Sequence, residues 1–168
     1  MTRSRPLLST PWFQVEAVPW RGEDWYRVVA PDGVLILART TDGRLAMVRQ
    51  WRPARERMSL EIPAGAIDPG ETPEQAARRE LLEETGLGGG TWHALGVGGL
   101  AIDRDTMRLH VFLALDVHPT GRAPEPGLEV RLLDPPAVRA ALTSPEFEQL
   151  AALSALVLAR WRGLADWV

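Results

Sequence analysis

A mixed α/β (α+β) fold with helices flanking sheets is what this sequence predicts. Hairpin signals follow one another closely between residues 12 and 51, a capped helix pattern occupies 73–85, and two helical stretches lie beyond residue 135. With 168 residues, 45% of them apolar, the chain is long enough for one core that buries roughly 70% of its unfolded surface.

Taken in order, residues 12–20 and 24–30 read as strands, with Pro31-Asp32-Gly33 as the turn that follows. Residues 34–40 are a short apolar run suited to a buried strand, and Asp42-Gly43 turns the chain into another strand at 45–51. Thr72-Pro73-Glu74-Gln75 starts a helix over 73–85: Thr72 caps it, Pro73 suits its first position, and Gln75 completes a reciprocal capping box. No breaker intervenes before Gly86, the expected left-handed stop. Further strands are expected at 92–98 and 107–117, and the second alternates too little for an edge strand. HPTGRAPEPG at 118–127 has three prolines and two glycines and forms a loop of a length more often functional than filler. A strand at 128–133 precedes helices at 136–142 and 146–162, the last with an apolar stripe through Leu150, Leu153, Leu156, Val157 and Trp161.

Several function classes drop out on composition. A net charge of −3 gives no general footprint for nucleic acid. The absence of cysteine removes disulfides, thiolate nucleophiles and Cys-based zinc sites. The runs VLILA and ALVLA are too short to span a bilayer, and the N-terminal residues lack a signal-like core. The expectation is a soluble, cytoplasmic protein with neither nucleic acid nor membrane as partner.

The segment GAIDPGETPEQAARRELLEETGL, residues 65–87, carries the chemistry. At about 100° per residue, Glu80, Glu83 and Glu84 fall within an arc of about 100° on one helix face. Three like charges so close repel one another and raise their own pKa values unless a cation compensates them. Clustered hard oxygen donors suit Mg2+ or Mn2+. Arg79, four residues before Glu83, is placed to orient a carboxylate for such an ion. Three nearby glutamates alone describe many solvated helix faces, so the weight falls on the residues spaced around them.

Those spacings are Gly65, Glu71, Arg79-Glu80, Leu81, Glu83-Glu84, Gly86 and Leu87, and they resemble the Nudix box at every defined position. Chance would give such a match on the order of once in ten million chains of this length. Val48-Arg49-Gln50-Trp51-Arg52-Pro53 and Leu60-Glu61-Ile62-Pro63-Ala64-Gly65 are similar to the ADP-ribose and nucleoside-diphosphate-sugar pyrophosphatase branch of that family, as are Leu109-His110-Val111-Phe112-Leu113-Ala114. The resemblance implies an α/β/α sandwich with a mixed central sheet. It divides the chain into an N-terminal β-rich extension, 1–40, and a hydrolase domain, 41–168, and in this branch the extension commonly reaches across a homodimer.

For activity, the resemblance implies water attack on the pyrophosphate of a nucleoside diphosphate linked to another moiety, giving a nucleoside monophosphate and a sugar phosphate. The metal ligands it implies are Glu80, Glu84 and Glu83, with the carbonyl of Ala64. Glu71 and Arg79 support them. Arg52 is the expected phosphate contact, since a planar guanidinium matches phosphate oxygens in two-pronged fashion. Arg27, Glu61 and Trp25 complete the expected substrate contacts. Trp25 belongs with Trp12, Trp20 and Tyr26 to an aromatic N-terminal face suited to stacking a base. The general base is Glu125 in the late loop, or Glu83 in its stead, because a base needs geometry before it needs pKa. Many ADP-ribose hydrolases carry a proline about fifteen residues past the box where this chain has Ile102, so other nucleotide sugars stay open beside ADP-ribose. So do two alternatives, a nucleoside triphosphate hydrolase and a non-catalytic nucleotide-binding regulatory domain.

Overall fold

In the computed structural model the chain is described from residue 4 to residue 165. The outermost residues of the expected 1–40 and 41–168 segments, Trp167 among them, lie outside the described residues. Three antiparallel strands, β1 (Arg5–Ser9), β2 (Gln14–Trp20) and β3 (Glu23–Val29), form a small sheet of their own. The main sheet is built on β4 (Gly33–Thr40) and β5 (Leu45–Arg52), joined by the turn at Asp42-Gly43. A 3₁₀ turn, Pro53–Arg55, leads to β6 (Arg57–Glu61) beside β5 and β7 (Ala64–Ala66) beside β4. After helix α1 (Pro73–Thr85) come β8 (Leu87–Gly88), β9 (Thr91–Gly98), β10 (Leu109–Pro119) and β11 (Glu129–Leu133), then helices α2 (Pro135–Leu142) and α3 (Leu150–Trp161). The order is β11-β5-β4-β10-β8, with β9 on β10. Among the described strands of this sheet, β4 and β10 are the pair that runs parallel, so the sheet is mixed.

Strand β4 is buried on both faces, which places it at the centre of three layers. Val34, Ile36 and Ala38 meet Ala76, Ala77 and Leu81 of α1 on one side. On the other, Leu35 and Leu37 meet Val138 of α2 and Ala152, Ala155, Leu156 and Ala159 of α3. Strand β10 serves both layers through Phe112 and Ala114 on one face and Val111 and Leu113 on the other. An irregularity between Leu115 and Val117, with Asp116 at φ 61°, turns Val117 onto the α1 side and breaks the strand's alternation.

Three expectations need correction. Because β4 is the central strand of the main sheet, the separate N-terminal sheet ends at Val29, not at residue 40. Helix α3 starts at Leu150, not at Glu146. The chain before it serves β6 instead: Glu146 O accepts from Leu60 N at 2.9 Å, and Gln149 Oε1 accepts from Ile62 N at 2.9 Å. The stripe assigned to α3 faces solvent at Leu150 (74% exposed) and Trp161 (81%), while three alanines and Leu156 form the packed side. Small residues let this helix approach the sheet closely, and leucine count misleads about which face is inward. Strand β1 arises in a segment without a sequence-level prediction.

Candidate catalytic site

Helix α1 is set by its own ends. Gln75 N donates to Thr72 Oγ1 at 3.3 Å and Thr72 N to Gln75 Oε1 at 2.8 Å, while Gly86, at φ 71°, stops the helix by donating to Leu82 O. Burial of Ala76, Ala77 and Leu81 against the sheet then fixes the rotation of the helix, and at about 100° per residue Glu80 and Glu84 fall between Ala76 and Ala77 on that side. That rotation aims Glu80 and Glu84 at the β7 segment. A β-carbon at Gly65 would overlap the Glu80 carboxylate, so any larger residue there would displace that side chain. Ala64 N donates to Glu84 Oε2 at 3.2 Å.

Glu84 is 7% exposed, and burial pushes its carboxyl up to about 8; Glu80 and Glu61 add to the shift, and the Ala64 N–H and Arg52 oppose it. Burial also raises Glu80, against the lowering effect of Arg79, with Glu83 and Glu125 contributing repulsion. Arg79 binds Glu71 through Nε and Nη2, both at 2.9 Å, and Ala66 O through Nη2 at 2.9 Å. Its Nη1 donates to Glu80 at 2.8 Å and to Glu83 at 3.1 Å. The guanidinium thereby holds Glu71 below the usual carboxylate range. Glu71 also accepts from Asp68 N at 3.1 Å, tying the loop before α1 to the same arginine.

The donors fit a hard divalent ion. The buried carboxylate of Glu84 and the partly buried one of Glu80, both with raised pKa values, lie against Ala64 and Gly65, where like charges are costly without a cation. Among the described residues no three acidic side chains converge tightly enough to enclose an ion, because Arg79 interleaves Glu80 and Glu83. Holding one would require Arg79 to yield those two contacts while keeping Glu71.

Arg52 forms a two-pronged pair with Glu61, its Nε donating to Oε1 at 2.7 Å, and Glu61 is 5% exposed. Two cavities meet at this arginine. One, of about 670 Å³, is lined by Trp12, Asp32, Arg52, Ala64, Gly65 and Met107, and the other, of about 460 Å³, by Arg55, Ser59, Glu61, Glu148 and Gln149. Glu125 is brought to the cluster by its backbone, whose N–H donates to Glu83 O at 2.9 Å.

Arg27 and Trp25 stand apart from the glutamates. Arg27 pairs with Glu16 across β2 and β3 at 2.8 Å. Trp25 Nε1 donates to Asp103 O at 2.9 Å, and the Arg104 guanidinium lies 3.7 Å from the centre of its ring, so both hold the 101–105 loop. Of the N-terminal aromatics, Trp12 lines the cleft beside Arg52. Arg122 went unsingled in the sequence; its place in the same loop as Glu125 was the available signal.

A three-layer sandwich presenting paired carboxylates from a capped helix beneath a cleft of nucleotide size defines a Nudix domain. The NUDIX domain profile matches residues 29–153, and the chain belongs to this family. Its similarity to ADP compounds hydrolase NudE of Escherichia coli strain K12 is 32% identity over 134 residues, 75% of this chain and 69% of that protein. With the ADP-ribose pyrophosphatase of Bacillus subtilis strain 168 it is 52% identical over 56 residues, 33% of this chain; the match spans only 30% of the Bacillus protein. A crystal structure of an ADP compounds hydrolase superimposes with a TM-score of 0.79 at 27% identity, covering 99% of this chain and 95% of that one.

Proposed function

We propose that this chain is a metal-dependent pyrophosphohydrolase that splits the pyrophosphate bond of a nucleoside diphosphate linked to another moiety, ADP-ribose or another nucleotide sugar. The products are a nucleoside monophosphate and a sugar phosphate. The observation that carries this reading is the packing of Glu80 and Glu84 against Gly65 and Ala64. The relatives named for ADP compounds and ADP-ribose support the substrate class.

Glu80, Glu84, Glu83 and the Ala64 carbonyl are the ligands we assign to Mg2+ or Mn2+. Bound there, the ion supplies charge neutralisation of the diphosphate and acidifies the attacking water. Arg52, held flat by Glu61, takes phosphate oxygens in a two-pronged contact. Glu125 accepts the proton of the water as its oxygen bonds to phosphorus, and the electron pair of the broken P–O bond leaves on the bridging oxygen. Glu83 is the alternative base. Arg79 keeps the carboxylates oriented through Glu71. Trp12 offers a face for the base at the mouth of the cleft, where stacking contributes roughly 1–3 kcal/mol. Arg27 and Trp25 would reach substrate only from a second subunit.

A homodimer is part of the proposal. Leu8 and Tyr26 on one face of the small sheet and Trp20 and Trp25 on the other are all exposed, apolar surface suited to a second copy. Among the described residues no helix is long and apolar enough to cross a membrane. A cytoplasmic setting agrees with a nucleotide substrate.

The test is chromatographic product analysis after incubation with Mg2+ or Mn2+ and a panel of ADP-ribose, ADP-glucose, GDP-mannose, dinucleotides and nucleoside triphosphates. Release of a monophosphate and a sugar phosphate from a diphosphate sugar is expected. Turnover of triphosphates alone, or of nothing in the panel, would overturn the reading. Light scattering on the same sample tests the dimer.

A further inference from the structure

We infer that Arg122 is a second phosphate-binding residue, which takes the distal phosphate of a nucleoside diphosphate while Arg52 takes the phosphate next to the nucleoside. The inference rests on the reading above that the chain acts on nucleoside diphosphate derivatives.

The loop that carries Arg122 is docked on the end of α1. Thr120 places both its N–H, at 3.0 Å, and its hydroxyl, at 2.9 Å, on Gly86 O, and Glu125 N donates to Glu83 O. Arg122 N donates to Thr120 Oγ1 at 3.3 Å, and Arg122 O lies where a β-carbon on Gly86 would fall. The glycine that ends the helix therefore also admits the loop. This fixes the backbone of Arg122 and leaves its side chain 52% exposed.

The three arginines nearest the cluster differ in how firmly they are held. Arg79 donates to Glu71, Glu80, Glu83 and Ala66 O, and Arg52 is locked on buried Glu61. Arg122 makes one long hydrogen bond, 3.4 Å to Glu83 Oε1, whose other oxygen already faces Arg79. A weak contact to a carboxylate is easily exchanged for a phosphate oxygen, which a guanidinium binds with two parallel N–H groups.

The firmly held Arg52 and the loosely held Arg122 meet different carboxylates. Arg52 feels the Glu84 charge and lines the cleft that Trp12 opens, whereas Arg122 stands beside Glu83 and takes no part in that cleft. A nucleoside held at Trp12 puts its first phosphate at Arg52, and the second extends toward Arg122. The consequence is selection for diphosphate over monophosphate.

Calorimetric titration of AMP and of ADP into wild type, Arg122→Ala, Arg122→Lys and Arg52→Ala tests this, without added metal and again with Mg2+. Loss of a charge-assisted hydrogen bond predicts a rise of about 10- to 100-fold in the Kd of Arg122→Ala for ADP with AMP unchanged. The lysine variant should recover part of the loss, and Arg52→Ala should weaken both ligands. Unaltered ADP binding in Arg122→Ala, or equal losses for AMP and ADP, would overturn the assignment and leave the hydrolase reading standing. A wild-type chain that binds neither nucleotide would overturn both.

Discussion

Replacing Glu84 by glutamine should stabilise the metal-free protein, and increasingly so as pH rises. The side chain is buried beside Glu80 and Glu61, and its carboxyl is pushed from 4.5 up to about 8. Between those values the folded chain keeps a proton that the unfolded chain has lost, so stability falls as pH rises from 4.5 through 8. At about 1.4 kcal/mol per pH unit, the full effect is on the order of 5 kcal/mol once the folded carboxyl ionises. Glutamine has the same shape and still accepts from Ala64 N, but it has nothing to ionise. Urea unfolding followed by tryptophan fluorescence, in chelator at pH 5, 6, 7, 8 and 8.5, should show the variant close to wild type at the acid end. By the alkaline end it should lead by about 3–5 kcal/mol. Mg2+ should then stabilise wild type and leave the variant nearly unmoved. Two curves that run parallel across the whole range would refute the argument that desolvation and like charge dominate this carboxylate.

Gly65→Ala pushes the Glu80 carboxylate out of place; we expect little change in stability by urea unfolding and turnover lowered about 100-fold. Arg79→Ala releases Glu71, Glu80 and Glu83 together. Calorimetry should read a Tm lower by about 3–6 °C, as loss of about 1–2 kcal/mol gives in a chain of this size, with a weaker response of Tm to Mg2+. Glu125→Gln should lower kcat by about 10²–10⁴-fold with little change in KM and flatten the acid limb of the pH–rate profile. An unchanged profile would pass the base to Glu83.

Local chemistry made some of this molecule legible in its sequence. The capping box at Thr72 and Gln75, Pro73 and the stop at Gly86 all act within one or two turns, and α1 runs from Pro73 to Thr85 as they dictate. The grouping of Glu80, Glu83 and Glu84 follows from helical periodicity, and the Glu80–Gly65 contact explains why the box needs its first glycine. What the sequence concealed is set by tertiary packing. The inward face of α3 is alanine because the sheet is close, and a hydropathy pattern weights the outward leucines instead. Residues 146–149 have the composition of a helix, yet they form a turn and loop whose Glu146 O and Gln149 Oε1 accept from Leu60 N in β6 and Ile62 N just after it. Trp25 and Arg27 are drawn off by Asp103, Arg104 and Glu16, partners that only the folded N-terminal sheet brings near.

The parallel pairing of β4 with β10 has a consequence for how the protein is made. Gly33 lies opposite Leu109, so the two central strands are separated in sequence by the entire stretch that contains α1 and its glutamates. Helix α1 can form from local signals as soon as it is synthesised, but the sheet it rests on closes only when β10 arrives. Loop closure over such a distance is slow compared with helix formation. During that interval β4 has β5 and β7 along one edge but not β10 along the other, and this open edge of the central strand is where the nascent chain is exposed to mispairing.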